Sequence, residues 1–209
     1  MNEIFTQAIT VFFGFFAIMN PIANTAVFAS LVGNKRRTEQ VKIATKALLV
    51  TFCIIVAFSI LGKAIFNLFG ITLPALRITG GILVFLVGYQ MLTGDGSELH
   101  SAAQNDDSDS DIAVSPLAVP LLAGPGTIAT AMNYSATADM WGIAMTLLVF
   151  AFLCVITFFC FIFSSQILTL IGKSGLSIVT RLMGLILAVI GTQMLIIGIT
   201  DIIKGPLLN

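Results

Sequence analysis

The sequence predicts an all-α polytopic membrane protein, a six-span bundle of two inverted three-span repeats with discontinuous first and fourth spans. Three observations carry that prediction. Hydrophobic residues fill 57% of the 209 positions, charged residues only 10%, and the mean hydropathy is +1.04. Soluble domains carry about 25% charge, and the few charges here leave apolar stretches long enough to cross ~30 Å of hydrocarbon. The chain also repeats itself. Asn20-Pro21, in MNPIANTAVFASL, is answered 104 positions later by Gly124-Pro125, in AGPGTIATAM. LRITGGILVFLVGYQML at 76–92 likewise resembles TRLMGLILAVIGTQMLIIG at 180–198. Finally, each half holds an odd number of spans, so the halves should have opposite orientation. Opposed repeats with helices broken at matching places point towards a transporter.

A lipid-exposed irregular chain cannot satisfy its backbone, and a barrel needs short alternating segments rather than runs such as ITGGILVFLVG. The six spans are placed at about 5–31, 42–66, 76–92, 116–135, 141–166 and 181–203. The first has no basic region before its apolar run and no suitable small-x-small site, so it reads as a retained span. The second ends towards Leu68-Phe69-Gly70 and the fifth towards Leu170-Ile171-Gly172, a further repeat match. The third is slightly short, which implies modest tilt or an extension at its end. The chain thus divides into a first repeat at 1–92, an acidic polar connection at 93–115 and a second repeat at 116–209. The connection carries Asp95, Glu98, Asp106, Asp107, Asp109 and Asp111 with no Lys or Arg, and reads as a solvated tether.

Lys and Arg set the orientation. Lys35, Arg36, Arg37, Lys42, Lys46, Lys173 and Arg181 fall on one side, with Lys63, Arg77 and Lys204 on the other. The richer side is assigned to the cytoplasm, which puts both termini outside. Arg77 and Arg181, each at the start of a span, are expected to snorkel to headgroups, with a gating ion pair or substrate contact as the rival use. Gln90 and Gln193 are expected to hydrogen-bond between helices. Gly80, Gly81, Gly88, Gly184 and Gly191 should permit close helix packing. No GxGxxG or GxxxxGK[ST] pattern supplies a phosphate cradle, and no nucleic-acid partner is expected.

Proline removes an amide donor and clashes with the preceding turn, so each break frees backbone groups inside a span. Asn24 and Thr25 lie within a turn of Pro21 and can satisfy some of them. In the second half Pro120 and Gly124-Pro125-Gly126 interrupt more strongly, followed by Thr127, Thr130 and Asn133. A restarted helix offers unpaired amides and partial positive charge to a carboxylate, while freed carbonyls suit an ammonium or small cation. A small zwitterion could therefore lie between the two breaks. Asn20, Pro21, Asn24 and Thr25 would line it from one side; Gly124, Pro125, Gly126, Thr127, Thr130 and Asn133 would line it from the other. Pro and Gly also kink membrane helices with no ligand involved. Repetition of the break at equivalent places is what favours a pathway.

Cys53, Cys154 and Cys160 fall in spans without a CxxC or a nearby His, so neither metal nor redox work is expected. No nucleophile–base pair, paired carboxylates or metal cluster is visible, and the chain is not expected to be an enzyme. No Asp or Glu is placed in mid-membrane, so sodium coupling, proton coupling and passive exchange all stand open. No resident cofactor is expected.

MNPIANTAVFASL at 19–31, PLAVPLLAGPGTIATAM at 116–132 and the GYQML and GTQML endings resemble the MarC family, also called UPF0056, over nearly the whole chain. The resemblance implies a bacterial inner-membrane protein of six spans. Some members are assigned to neutral amino-acid transport, so it also implies relatedness to neutral amino-acid transporters and a functional centre at Asn20, Pro21, Asn24 and Thr25, opposed by Gly124, Pro125, Gly126 and Thr127. The expected function is alternating-access transport of a small neutral amino acid. Export of another small metabolite or xenobiotic through the same scaffold is the alternative. Direction of transport and oligomeric state stay open.

Overall fold

The computed structural model describes residues 2–93, 117–118, 122–136 and 139–204. The acidic connection from 94 onward and, in the fourth predicted span, residues 116 and 119–121 with Pro120 among them lie outside these ranges. Among the described residues the regular elements are helices: α1 (Asn2–Met19), α2 (Pro21–Val32), α3 (Arg37–Phe69), α4 (Leu73–Thr93), α5 (Pro125–Ala136), α6 (Met140–Ile162) and α7 (Ser164–Lys204). Five stretches are long and apolar enough to cross a membrane: Phe5–Val32, Arg37–Gly62, Leu73–Thr93, Met140–Ile162 and Ser174–Lys204. The chain is thus an all-α polytopic membrane protein. Of the fourth predicted span, the described helix is α5, whose 12 residues reach about 18 Å at 1.5 Å per residue.

Two predicted boundaries move for local reasons. The Thr72 hydroxyl accepts from the Ala75 amide at 3.3 Å, capping α4 so that it starts at Leu73 with Pro74 in its first turn, where a missing amide costs nothing. The third span is therefore 21 residues long, about 31 Å, and not short. The fifth span ends at Ile162 rather than 166, because Phe163 leaves helical geometry (φ −99°, ψ 21°). Helix resumes at Ser164 and kinks at Gly172, where φ is 67° and ψ 171°. Gly70 and Gly172, matched in the repeat, both take positive φ (64° and 67°), a conformation costing an L side chain roughly 1–2 kcal/mol.

The core is aromatic. Phe28 of α2 stacks on Phe161 of α6 with ring centroids 4.5 Å apart, and Phe15 of α1 meets Phe150 of α6 edge-on at 4.9 Å. All four rings are fully buried. Lipid-facing positions such as Phe13, Leu49, Leu86, Leu148 and Val189 are exposed and apolar, as a hydrocarbon solvent requires.

α4 and α7 pair antiparallel through glycines. A Cβ built on Gly81 would come 2.7 Å from the Gly191 carbonyl oxygen, and one on Gly191 would come 2.6 Å from that of Gly81. Gly88 and Gly184 answer each other at 2.6 and 2.8 Å. No side chain fits at these four places. The expected packing role of the glycines holds: Gly81 meets Gly191 and Gly88 meets Gly184. Gly80 lies between α5 and α7, its Cβ position 2.8 Å from that of Ala129 and 3.3 Å from Met194 Cε. Gln193 is exposed rather than set between helices, because it lies about 200° around α7 from Gly191.

Candidate functional site

The first break is a single left-handed residue. Asn20 has φ 39° and ψ 70°, and its side-chain oxygen caps α2 by accepting from the Ala23 amide at 3.2 Å. Left-handed geometry is open to Asn because its short polar chain bonds locally. Of the two polar residues that follow, Asn24 repairs the interruption and Thr25 bonds within α2. Asn24 Nδ2 donates to the Met19 carbonyl at 2.6 Å, and the Thr25 hydroxyl donates to the Pro21 carbonyl at 2.7 Å. Met19 ends α1, so its carbonyl is among those the sequence predicts to be freed. The Thr25 bond is the back-bond to the carbonyl four residues earlier that Thr45, Thr146 and Thr157 also make. Asn20 Nδ2 has no partner, and the residue is 96% buried by its 4% exposure.

The second break is wider. The Ala123 amide reaches back five residues to the Ala118 carbonyl at 2.8 Å, a π-type turn of the kind found at functional sites. Gly124 is non-helical, and α5 begins at Pro125, with the Ile128 amide bonded to the Gly124 carbonyl at 3.0 Å. Thr127 and Thr130 are both 2% exposed, and the Thr130 hydroxyl is unpartnered.

The two breaks adjoin. A Cβ on Gly126 would lie 3.9 Å from Ile18 Cγ2, two residues before Asn20, and 3.4 Å from Val84 Cγ2 of α4. Further along, Tyr134 packs its ring on Phe15 at 5.7 Å, and its hydroxyl lies 2.5 Å from where a Gly14 Cβ would stand. α1 and α5 therefore run antiparallel. Thr127, Thr130 and Tyr134 fall on one side of α5 by helical spacing, the side that meets α1. A buried hydroxyl or amide without a partner costs about 1–3 kcal/mol. Asn20 and Thr130 each carry that cost near the junction.

Asn133 stands apart from this group. It is half-buried near the far end of α5 and accepts from Arg77 Nε at 2.8 Å. Arg77 Nη1 also pairs with Asp201 of α7. The expected snorkelling of Arg77 is thereby corrected: a carboxylate on the neighbouring helix competes successfully with headgroups. Asp201 and the buried hydroxyls of Thr51, Ser59 and Ser135, all three unpartnered, were not singled out from sequence. For Asp201 the usable signal was its place at a span end on the same side as Arg77. For the hydroxyls no signal existed, since Thr45, Thr146 and Thr157 sit in similar helices and bond back to the carbonyl four residues earlier.

Family comparison agrees over nearly the whole length. The family described as MarC family integral membrane protein matches residues 5–203. The chain is 38% identical over 200 residues to UPF0056 membrane protein YvbG of Bacillus subtilis, covering 93% of this chain and 95% of the relative. It is 34% identical over 200 residues to UPF0056 membrane protein PH0760 of Pyrococcus horikoshii, with 95% and 97% covered. With UPF0056 inner membrane protein MarC of Salmonella paratyphi A it shares 33% over 201 residues, with 90% and 91% covered. No solved structure matches.

Proposed function

Since the chain belongs to the MarC family of integral membrane proteins, a family without catalytic activity, we propose that it is a secondary transporter of small neutral amino acids working by alternating access. The observation that carries this reading is the meeting of the two breaks, with the buried, unpartnered Asn20 amide and Thr130 hydroxyl beside them. A zwitterion matches what such a junction offers. Its carboxylate suits the positive ends of α2 and α5, and Asn20 Nδ2 is a donor there. Pro21 and Pro125 bring no amide, and the Ala23 amide is taken by Asn20 Oδ1. Its ammonium suits carbonyl groups released where the preceding segments end. Pro21, Gly124, Pro125 and Gly126 make the breaks; Thr127 adds a buried hydroxyl. Asn24 repairs the first break and Thr25 bonds within α2 rather than facing solute, and Asn133 acts at a distance from it.

Six spans in two inverted repeats complete the proposal. Gly81 and Gly184 are repeat counterparts, as are Gly88 and Gly191, and each meets the other pair's partner across α4 and α7. A two-fold axis between antiparallel helices generates that reciprocity. The matched positive φ at Gly70 and Gly172 fits the same relation. Residence in a bacterial inner membrane, with both termini periplasmic, follows the lysine and arginine count and the name of the Salmonella relative.

The test is flux. Purified protein in liposomes should move labelled glycine, alanine or serine above empty-vesicle controls, and imposed sodium or proton gradients would then identify the coupling ion. Absence of flux across a broad amino-acid panel, with folded and inserted protein, would end this reading.

A further inference from the structure

The half-helix α5 lies along α4 on a stripe of contacts that changes character at its far end. Gly126 faces Val84, Ala129 faces Gly80, and Asn133 meets Arg77. Rising along α5 is matched by descending along α4, so the two run antiparallel in register. The first two contacts are apolar packing of small residues, which lets backbones approach closely. The third is polar and extends to a third helix. Arg77 Nε donates to Asn133 Oδ1 at 2.8 Å while Nη1 donates to the Asp201 carboxylate, the Arg and Asp side chains being 18% and 37% exposed.

α5 starts at a break, so no continuous helix fixes its beginning. Asn133 lies eight residues on, about 12 Å along the axis, in the last turns of α5, and that is where Arg77 holds the helix. The equivalent ties at the opposite end of the bundle are of another kind. Gln40 of α3 bonds the Val32 and Lys35 carbonyls at 3.1 Å each, and Arg37 donates to the Ile162 carbonyl of α6 and lies 5.7 Å over the Phe163 ring.

We infer that Arg77 is a positioning residue for the second break: by bridging Asn133 to Asp201 it fixes α5 against the α4–α7 pair and closes the break junction towards that end. The inference deepens the transport reading above and rests on it for the meaning of the junction. The chemistry of the bridge suits a latch. A guanidinium presents several donors in a rigid fork. Here one arm engages a carboxylate and another a neutral amide oxygen. Swinging α5 away breaks the bond to Asn133 and leaves Arg77 neutralised by Asp201, so no charge is stranded in a low-dielectric setting. The carboxylate keeps the cation in place; the amide is what lets go.

The experiment uses the full chain with Cys53, Cys154 and Cys160 replaced by Ala and Thr130→Cys as a buried reporter. A membrane-impermeant thiol reagent is applied to vesicles of each orientation. Asn133→Ala and Arg77→Gln should each speed labelling by about tenfold or more, the lower end expected for losing a hydrogen bond to a charged group, and only from the side bearing residues 70–72. Arg77→Lys keeps the charge but loses the fork and should fall between parent and Arg77→Gln. A merely structural role predicts no side preference. Equal labelling from that side in folded Asn133→Ala and parent protein overturns the latch, and so does acceleration from both sides alike. Should Arg77→Gln fail to fold, Asn133→Ala carries the test alone. Missing amino-acid flux in the unaltered protein would count against the transport reading while leaving the labelling result to stand.

Discussion

The first break is mended by residues within one turn of it, whereas the second is held by residues more than forty positions away in sequence. Asn24 satisfies the Met19 carbonyl from inside α2, where Thr25 also bonds. α5 depends on Gly80, Val84 and Arg77 of α4 and, through Arg77, on Asp201 of α7. A local repair keeps its geometry whatever the rest of the bundle does. A repair made by neighbouring helices changes when those helices move. Under the latch proposed for Arg77, the asymmetry singles out α5 as the half-helix whose hold can be released.

The largest expected effect strikes the second break through its support. Gly80→Leu would drive a side chain into Ala129, whose Cβ already lies 2.8 Å from where a Gly80 Cβ would stand. Overpacking of this kind costs about 1–3 kcal/mol, and the apparent melting temperature in detergent should drop clearly. An unchanged melting temperature would mean that α5 does not lean on α4. Next comes Asn24→Leu, which strands a buried carbonyl at the first break. Its cost should be about 1–2 kcal/mol on the same measurement. A smaller loss than for Thr25→Val would break the assignment of Asn24 as the main local repair.

The prolines should separate the breaks more finely. Asn20 sits in left-handed geometry that costs roughly 1 kcal/mol over the right-handed form, so Pro21→Ala lets one residue relax and the helix run through. Pro125→Ala leaves Gly124, Gly126 and the π-type turn in place. Amino-acid flux in proteoliposomes is expected to fall further in Pro21→Ala than in Pro125→Ala, at comparable amounts of folded protein. The reverse order would show that the second break owes more to its proline than to its glycines.

Much of this was legible in the sequence because membrane physics writes it plainly. Long apolar runs, prolines inside them and glycines seven apart follow from backbone satisfaction and close packing. Asn24 is legible as a repair by its distance from Pro21 alone, whereas Thr25 bonds within α2. The repeat match at Gly70 and Gly172 reappears as a shared positive φ. What was not legible depends on rotation about helix axes and on long-range register. Whether Gly80 or Gly81 meets the α7 backbone is a matter of 100°, and Arg77 could be given to headgroups because its partner lies 124 residues away. Sorting candidate site residues into a repairer (Asn24), break-makers (Pro21, Gly124, Pro125, Gly126) and unpartnered donors (Asn20, Thr130) likewise needed side-chain directions.

The smallest expected change in stability comes from Thr130→Val, and that smallness makes it useful. The hydroxyl is buried without a partner, unlike that of Thr157, which donates to the Leu153 carbonyl at 2.8 Å. Replacing an unpartnered hydroxyl by a methyl of similar shape removes a desolvation cost and breaks no bond, so stability should stay within about 0.5 kcal/mol or rise slightly. Thr157→Val should instead lose about 0.5–1 kcal/mol. If Thr130 faces solute, its Val variant will show a raised KM for amino-acid flux at unchanged melting temperature, while Thr157→Val shows the opposite pattern. Unchanged KM in Thr130→Val would remove this hydroxyl from the solute site and leave Asn20 as the remaining unpartnered donor beside the junction.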